Sequence, residues 1–158
     1  MKKEKQKKIS VFLIDDHPIV RDGVRSYLTS RSTEVVGEAS DAPEALLKLK
    51  KLRPDVIVLD VNLPSMAGWE VASRLRRLVP GSKIIAFSIH SGEEYVVRMA
   101  RSGARGYVMK SQPTAELLEA ITQVARGGRY FPSGMPDALP AAAPKSSARK
   151  APRRAPRR

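Results

Sequence analysis

The chain has 158 residues, contains no Cys, and carries 29 Lys and Arg against 16 Asp and Glu. This length suits one ordinary domain and excludes a large multidomain enzyme. The lack of Cys excludes a disulfide framework, thiolate metal sites and thiol nucleophiles. No apolar stretch approaches the roughly 20 residues of a membrane span, and the apolar run after the Lys-rich start is too short for a signal peptide. We therefore expect a cytoplasmic protein with no membrane partner.

The net charge of +13 lies mostly at the two ends of the chain. Residues 1–9 hold five Lys and one Glu, residues 133–158 hold seven basic residues and one Asp, and residues 10–132 hold 17 basic against 14 acidic residues. The last 26 residues contain seven Ala and five Pro and almost no large apolar side chain. We expect a basic N-terminal tail at 1–9, a domain at 10–132 and a disordered basic tail at 133–158.

Five short apolar runs predict five strands. Three of them are continuous and rich in β-branched residues, which is typical of strands covered on both faces; they lie at 11–14, 56–59 and 84–87. The runs at 34–37 and 106–109 are shorter or more broken, which indicates the two edges of the sheet.

An apolar pattern with helical spacing follows each run. The patterns are Val20, Val24 and Leu28; Leu46, Leu49 and Leu52; Val71, Leu75 and Leu78; Val96, Met99 and Ala100; and Leu117, Ile121 and Val124. Pro18 suits the first turn of the first helix, Asp41 can cap the second, and Gly127 ends the fifth. Strands and helices alternating in this way predict an α/β fold, a doubly wound five-stranded parallel sheet with helices on both faces.

Reactive side chains follow four of the five predicted strands. Asp15 and Asp16 follow the first strand, Asp60 the third, Ser88 the fourth and Lys110 the fifth. Ligands of such sheets bind beyond the carboxyl ends of the strands. Three nearby carboxylates either shift their pKa values or hold a cation, and Mg²⁺ fits this set because no His or Cys cluster accompanies it. A bound Mg²⁺ beside Lys110 would receive a phosphoryl group, and Asp60, from the central strand, is the natural nucleophile.

These residues and their neighbourhoods resemble the receiver domain of two-component response regulators. The resemblance covers residues 10 to about 132, and four local runs are similar to those of the NarL/FixJ subgroup: Asp15-Asp16-His17-Pro18, Asn62-Leu63-Pro64, Gly103-Ala104-Arg105-Gly106-Tyr107 and Gly127-Gly128-Arg129-Tyr130-Phe131. The resemblance implies a CheY-like, flavodoxin-like fold with strand order 2-1-3-4-5.

The resemblance also implies a role for each site residue. Asp60 would accept phosphate from a sensor histidine kinase, Lys110 and Ser88 would bind the phosphoryl group, and Tyr107 would change rotamer in the switch. Mg²⁺ would be held by Asp15, Asp16, Asp60 and the backbone carbonyl of Asn62. The implied protein is a phosphoacceptor in signalling and not an enzyme, apart from its own phosphorylation and dephosphorylation.

The expected output departs from the habit of the subgroup, whose members usually continue into a helix-turn-helix domain. Residues 133–158 lack the apolar periodicity of packed helices. We expect instead a phosphorylation-dependent surface on the fourth helix, fifth strand and fifth helix, which a homodimer would also use, formed by Tyr95, Arg98, Arg101 and Tyr107. The alternative is a phosphorylation-regulated, DNA-associated transcriptional regulator whose basic tail binds nucleic acid non-specifically.

Other interpretations are weaker. His17 suits a structural role at the start of the first helix. We expect His90 to lie at the mouth of the site, where it would tune dephosphorylation, and Trp69 to pack the third helix. A hydrolase of the haloacid-dehalogenase type needs an Asp-x-Asp signature after the first strand, which is missing. A dinucleotide-binding enzyme needs a Gly-rich turn after Ile14, which is also missing.

Overall fold

The structure, a computed structural model, describes residues 7–29 and 32–135. Within these ranges the strands are β1 Ile9–Ile14, β2 Thr33–Ala39, β3 Val56–Asp60, β4 Lys83–Ser88 and β5 Ala104–Met109. The helices are α1 Pro18–Thr29, α2 Ala42–Lys48, α3 Gly68–Leu78, α4 Glu93–Arg101 and α5 Thr114–Ala125. None of these helices is long and apolar enough to cross a membrane. Most of the predicted N-terminal tail, and all but three residues of the tail predicted at 133–158, lie outside the described residues.

The five strands form one parallel sheet in the order β2-β1-β3-β4-β5. This order confirms the predicted fold class and places the two weaker strands, β2 and β5, at the edges. Every residue of the central strand β3 is buried because helices cover both faces of the sheet, which is why its sequence is a continuous apolar run up to Asp60.

The sheet divides the hydrophobic core into two layers. One layer is built by α2, α3 and α4, with Leu49, Leu75 and Met99 packed on one face of the sheet. The other is built by α1 and α5, with Leu28 and Ile121 packed on the opposite face. The side chains of a strand alternate between the two layers. The residues within the strands therefore fill the core, and polar groups lie at the carboxyl ends of the strands.

The helix boundaries agree with the predicted start signals but not with the predicted end of α2. The helix begins at Pro18 in α1, and Asp41 caps α2 by accepting a 2.8 Å hydrogen bond from the backbone N–H of Ala42. The helix α2 ends at Lys48, so Leu52 of the predicted helical stripe lies beyond it. The chain there leaves the helix to reach β3, where the Asp55 N–H donates to the backbone carbonyl of Ser10.

Candidate functional site

The carboxyl ends of the strands carry the predicted polar residues to one rim of the sheet. Asp60 and Ser88 are the last residues of β3 and β4, while Asp15 and Lys110 directly follow β1 and β5. The Lys110 Nζ lies 2.7 Å from Asp15 Oδ2 and 3.2 Å from Asp60 Oδ2. Asp15 and Asp60 are each only 4% exposed. The structure therefore brings two buried carboxylates onto one ammonium group.

The pKa of the Asp60 carboxyl group is shifted by opposing influences. Burial raises its pKa, and the nearby charge of Asp15 adds to this, whereas the Asn62 N–H and Lys110 act in the opposite direction. The Asn62 N–H donates to Asp60 Oδ1 at 3.0 Å, and the Lys110 ammonium donates to Oδ2. The result is a poorly hydrated carboxylate in a fixed orientation, which is a suitable nucleophile.

The same rim holds an acidic cluster that fits a divalent cation. One ligand atom from each of four residues lies within 4.8 Å of the others, and these residues are Asp15, Asp16, His17 and Asp60. Asp15 Oδ2 and Asp16 Oδ1 are buried and accept no hydrogen bond of good geometry, although Lys110 Nζ and His17 Nδ1 lie 2.7 and 3.1 Å away. Carboxylate oxygens short of donors are ligands that Mg²⁺ prefers. The predicted carboxylate ligands therefore lie together and fit this ion.

His17 and Arg21 belong to the surroundings of the cluster more closely than the sequence indicated. The His17 N–H donates to Asp15 Oδ1 at 2.9 Å, which supports its structural role at the start of α1, but its ring Nδ1 also lies 3.0 Å from that oxygen. Arg21 donates to the backbone carbonyl of Asp15 and to Glu38 of β2. The position of His17 directly after two Asp residues could have indicated that it lies beside the acidic cluster. No pattern in the sequence indicated the contact of Arg21 with Asp15.

Ser88 connects the rim to the loop between β4 and α4. Its hydroxyl oxygen accepts from the His90 N–H at 2.9 Å, and its carbonyl accepts from the Lys110 N–H at 2.7 Å. The Tyr107 hydroxyl donates to the His90 carbonyl at 2.7 Å, and burial raises the pKa of this phenol. The loop is thus tied to the site through Ser88 and to β5 through Tyr107.

His90 also links the site to the face of α3 and α4. Its Nε2 lies 2.7 Å from the side-chain amide nitrogen of Asn62, and its ring stacks on Tyr95 with the centroids 4.2 Å apart. Tyr95 in turn contacts Trp69, over which the Arg98 guanidinium lies at 4.5 Å. His90 therefore lies at the mouth of the site, as predicted, and Trp69 packs on α4 as well as within its own helix.

The structure corrects the predicted composition of the output surface. Tyr107 is 1% exposed and belongs to the core layer under α4, so it forms no part of a surface. Tyr95 and Arg98 turn toward Trp69 of α3, because they occupy the side of α4 that faces its neighbouring helix. Of the four residues, Arg98 and Arg101 are exposed, Tyr95 is half-buried and Tyr107 is buried.

Comparison with known proteins agrees with this arrangement. A family model described as the response regulator receiver domain matches residues 11–122. The chain is 38% identical over 123 residues to the nitrate/nitrite response regulator protein NarL of Escherichia coli K12, covering 77% of this chain and 57% of NarL. The chain spans about half to three-fifths of the length of the curated relatives it matches.

Solved structures give the same result. A LuxR-family two-component response regulator from Aurantimonas sp. SI85-9A1 is 37% identical, with a TM-score of 0.74 over 78% of this chain and 89% of that chain. The signal receiver domain of the putative response regulator NarL from Mycobacterium tuberculosis is 34% identical, with a TM-score of 0.72 over 77% of this chain and 99% of that chain.

Proposed function

The chain belongs to the response regulator receiver domain family of two-component systems, and from this premise we propose that it accepts a phosphoryl group from a sensor histidine kinase onto Asp60. The observation that carries the proposal is the convergence of Lys110 Nζ on Asp15 and Asp60 at 2.7 and 3.2 Å. In this arrangement the carboxylate of Asp60 can react with a phosphoryl group, while the ammonium of Lys110 and the carboxylate of Asp15 balance each other's charge.

In the proposed transfer an Asp60 carboxylate oxygen attacks the phosphorus of a phosphohistidine. A P–O bond forms and the P–N bond breaks; the leaving imidazole keeps the electron pair of that bond and takes a proton from solvent. Lys110 lies beside Asp60 and binds the phosphoryl oxygens. Burial raises the pKa of Asp60, so its negative charge is poorly solvated before transfer and moves outward onto the phosphoryl oxygens afterwards. The protein is a phosphoacceptor in signalling and acts catalytically only on itself.

The residues that would hold Mg²⁺ are the carboxylates of Asp15, Asp16 and Asp60 and the backbone carbonyl of Asn62. The buried Asp15 and Asp16 oxygens that accept no hydrogen bond support this assignment. When bound, Mg²⁺ neutralises negative charge on the phosphoryl group. Asp15 and Asp16 themselves orient the site, because the first of them also receives the His17 N–H and closes the turn into α1.

The proposed switch begins at Ser88. Its hydroxyl oxygen accepts from the His90 N–H, and its hydroxyl hydrogen, which also has the Tyr107 phenol within reach, can turn to a phosphoryl oxygen. Such a bond draws the β4–α4 loop toward the site and shifts the His90 carbonyl away from the Tyr107 hydroxyl. The two states differ in free energy only as far as Ser88 and Lys110 bind the phosphoryl group better in one of them. The output is a surface on α4, β5 and α5, which a homodimer would use.

The deciding experiment is phosphorylation by a small donor. We expect the full chain, incubated with acetyl phosphate and Mg²⁺, to gain one phosphoryl mass in intact-mass spectrometry, and Asp60→Asn to gain none. Asp22→Asn, an exposed carboxylate on α1, is the matched control and should still be modified. An adduct that persists in Asp60→Asn would overturn the assignment.

A second candidate function is favoured by the charge distribution. Seven of the last 26 residues are basic against one acidic residue, so we propose as the alternative that this segment binds nucleic acid through its phosphates, regulated by the receiver. We expect such binding to be non-specific, because it would rest on neutralising backbone phosphates, which carry no sequence information.

A further inference from the structure

The outer edge of β5 is occupied by the chain itself. The Tyr130 N–H donates to the Arg105 carbonyl at 3.0 Å, and the Tyr107 N–H donates to the Tyr130 carbonyl at 2.8 Å, so that Tyr130 forms a parallel bridge with Gly106. We call residues 129–135 the strap. An unpaired edge strand offers its backbone groups to other chains, and here the strap takes those groups.

The sequence after α5 is suited to this return. Gly127 has a φ of +96°, which glycine adopts without strain, and the Gly128 N–H donates to the Gln123 carbonyl at 2.9 Å, which closes the end of the helix. On β5 itself, a Cβ on Gly106 would lie 3.1 Å from the Tyr130 carbonyl oxygen. Glycine at that position lets the strap approach the strand.

The strap is anchored on both faces of the sheet. Tyr130 packs on the layer of α1 and α5, and its hydroxyl donates to the Glu116 carboxylate of α5; this bond raises the pKa of Tyr130 to about 12. Phe131 and Met135 pack on the other layer, together with Tyr107. Successive residues pointing to opposite faces are typical of a strand. The strap therefore lies across the edge between α4 and α5.

Tyr107 connects the strap to the site. Its backbone N–H donates to the Tyr130 carbonyl of the strap, and its hydroxyl donates to the His90 carbonyl. The His90 N–H in turn donates to the Ser88 hydroxyl oxygen. Its ring also shares a core layer with Phe131 of the strap. A continuous series of contacts thus runs from the rim of the sheet to its outer edge.

We propose that the strap is an intramolecular occupant of the edge between α4 and α5, and that its attachment to β5 is coupled through Tyr107 to the state of Asp60. The proposal rests on the proposed function only in that the event that releases the strap is phosphorylation of Asp60. When Ser88 turns to the phosphoryl group and Tyr107 repacks against Phe131, the strap loosens and β5 becomes open to a partner. Because coupling is reciprocal, a weakened strap strengthens binding at the site.

The test measures amide hydrogen exchange in the full chain, with and without beryllofluoride and Mg²⁺ as the phosphate mimic. The amides of Tyr107 and Tyr130 should be protected in the free protein and should exchange at least about fivefold faster with the mimic, a typical size for coupling between sites. Binding of the mimic is followed independently by the bound ¹⁹F resonance. A free protein in which both amides exchange without protection would overturn the strap itself.

Two strap variants test the reciprocal effect. Glu116→Ala removes the acceptor of the Tyr130 hydroxyl, and Tyr130→Phe removes the donor but keeps the ring; each should bind beryllofluoride about fivefold more tightly. Glu34→Ala, an exposed glutamate of β2 at the opposite edge of the sheet, is the matched control and should bind as the wild type does.

The outcomes separate the two proposals. A bound ¹⁹F resonance with unchanged exchange at Tyr107 and Tyr130, or with unchanged affinity in both strap variants, would overturn the coupling and leave the Asp60 assignment in place. No bound resonance in the wild type would overturn the Asp60 assignment and the coupling with it.

Discussion

At the scale of single residues, the site keeps charges where a purely structural core would not. Asp15 and Asp60 lie almost completely out of water and share one ammonium. Buried charges cost stability unless they are fully paired, and functional sites often carry such a cost. The consequence can be measured by removing one charge at a time.

Asp60→Asn should stabilise the fold at neutral pH by about 0.5–2 kcal/mol, the usual size of a single stabilising change. The amide can still accept from the Asn62 N–H, and Lys110 keeps Asp15 as its partner. Because burial raises the pKa of Asp60 in the folded state, the wild type loses stability as the pH rises from the ordinary Asp range through that raised pKa. Thermal unfolding of both proteins between about pH 4 and pH 8 measures the difference.

The gap between Asp60→Asn and the wild type should therefore be largest at neutral pH and should close as the pH falls to the ordinary Asp range. Asp22→Asn, which changes an exposed carboxylate on α1, should follow the wild type throughout. Parallel stability curves for Asp60→Asn and the wild type would contradict the raised pKa.

Tyr107→Phe should lower the free energy of unfolding by about 1 kcal/mol, the typical net value of one buried hydrogen bond. The change leaves the His90 carbonyl without the donor that it has at 2.7 Å. Tyr95→Phe is the matched control, since the structure shows ring contacts for Tyr95 but no hydrogen bond of its phenol among the described residues; it should stay within about 0.5 kcal/mol of the wild type. Urea unfolding gives both values, and equal losses would contradict the assigned role of the Tyr107 hydroxyl.

At the scale of elements, the start of α3 is packed directly on the loop that follows Asp60. The Gly68 N–H donates to the Val61 carbonyl at 2.8 Å, and Asn62 forms an isolated bridge with Ala67. A Cβ on Gly68 would lie 2.6 Å from the Val61 Cα atom, a backbone atom that cannot move without moving the site.

Gly68→Ala should destabilise the protein by about 1–3 kcal/mol, the usual cost of overpacking, and should also slow phosphorylation by acetyl phosphate. Gly81→Ala is the matched control, because a Cβ there meets nothing within 4 Å; it should leave both properties nearly unchanged. Chemical unfolding and the rate of mass gain measure the two effects. A Gly68→Ala protein with the stability of the wild type would show that the loop can move aside.

The elements also show what the sequence could and could not predict. The continuous run at 56–59 predicted a central strand and the broken runs predicted edges, because burial on two faces selects apolar residues locally. The rim residues were predictable for the same reason, since polar groups directly after such runs stand out. The end of α2 before Leu52 and the return of Tyr130 to β5 depend on contacts with distant parts of the chain, which no local pattern records.

At the scale of the whole molecule, the excess positive charge and the residues of the acidic site lie in different parts of the sequence. The acidic rim belongs to the described domain, whereas residues 133–158 carry a net charge of +6. Met135 of the strap still packs on the core layer of α2, α3 and α4, so the folded unit extends slightly past the boundary predicted at 132. A truncation that tests the charged segment must therefore retain Met135.

If that segment binds nucleic acid, a chain ended after Met135 should lose retention on DNA that the full chain shows. Each neutralised phosphate contributes about 0.9 to the slope of log affinity against log salt, so seven cations give a slope of at most about −6. The full-length variant with Arg153, Arg154, Arg157 and Arg158 changed to Gln keeps the length and should reduce the slope by about 3.6. Fluorescence anisotropy with a duplex of arbitrary sequence, titrated across a salt series, measures both quantities. Equal affinity of the full and shortened chains at every salt concentration would eliminate the nucleic-acid role and leave the receiver with its protein surface as the output.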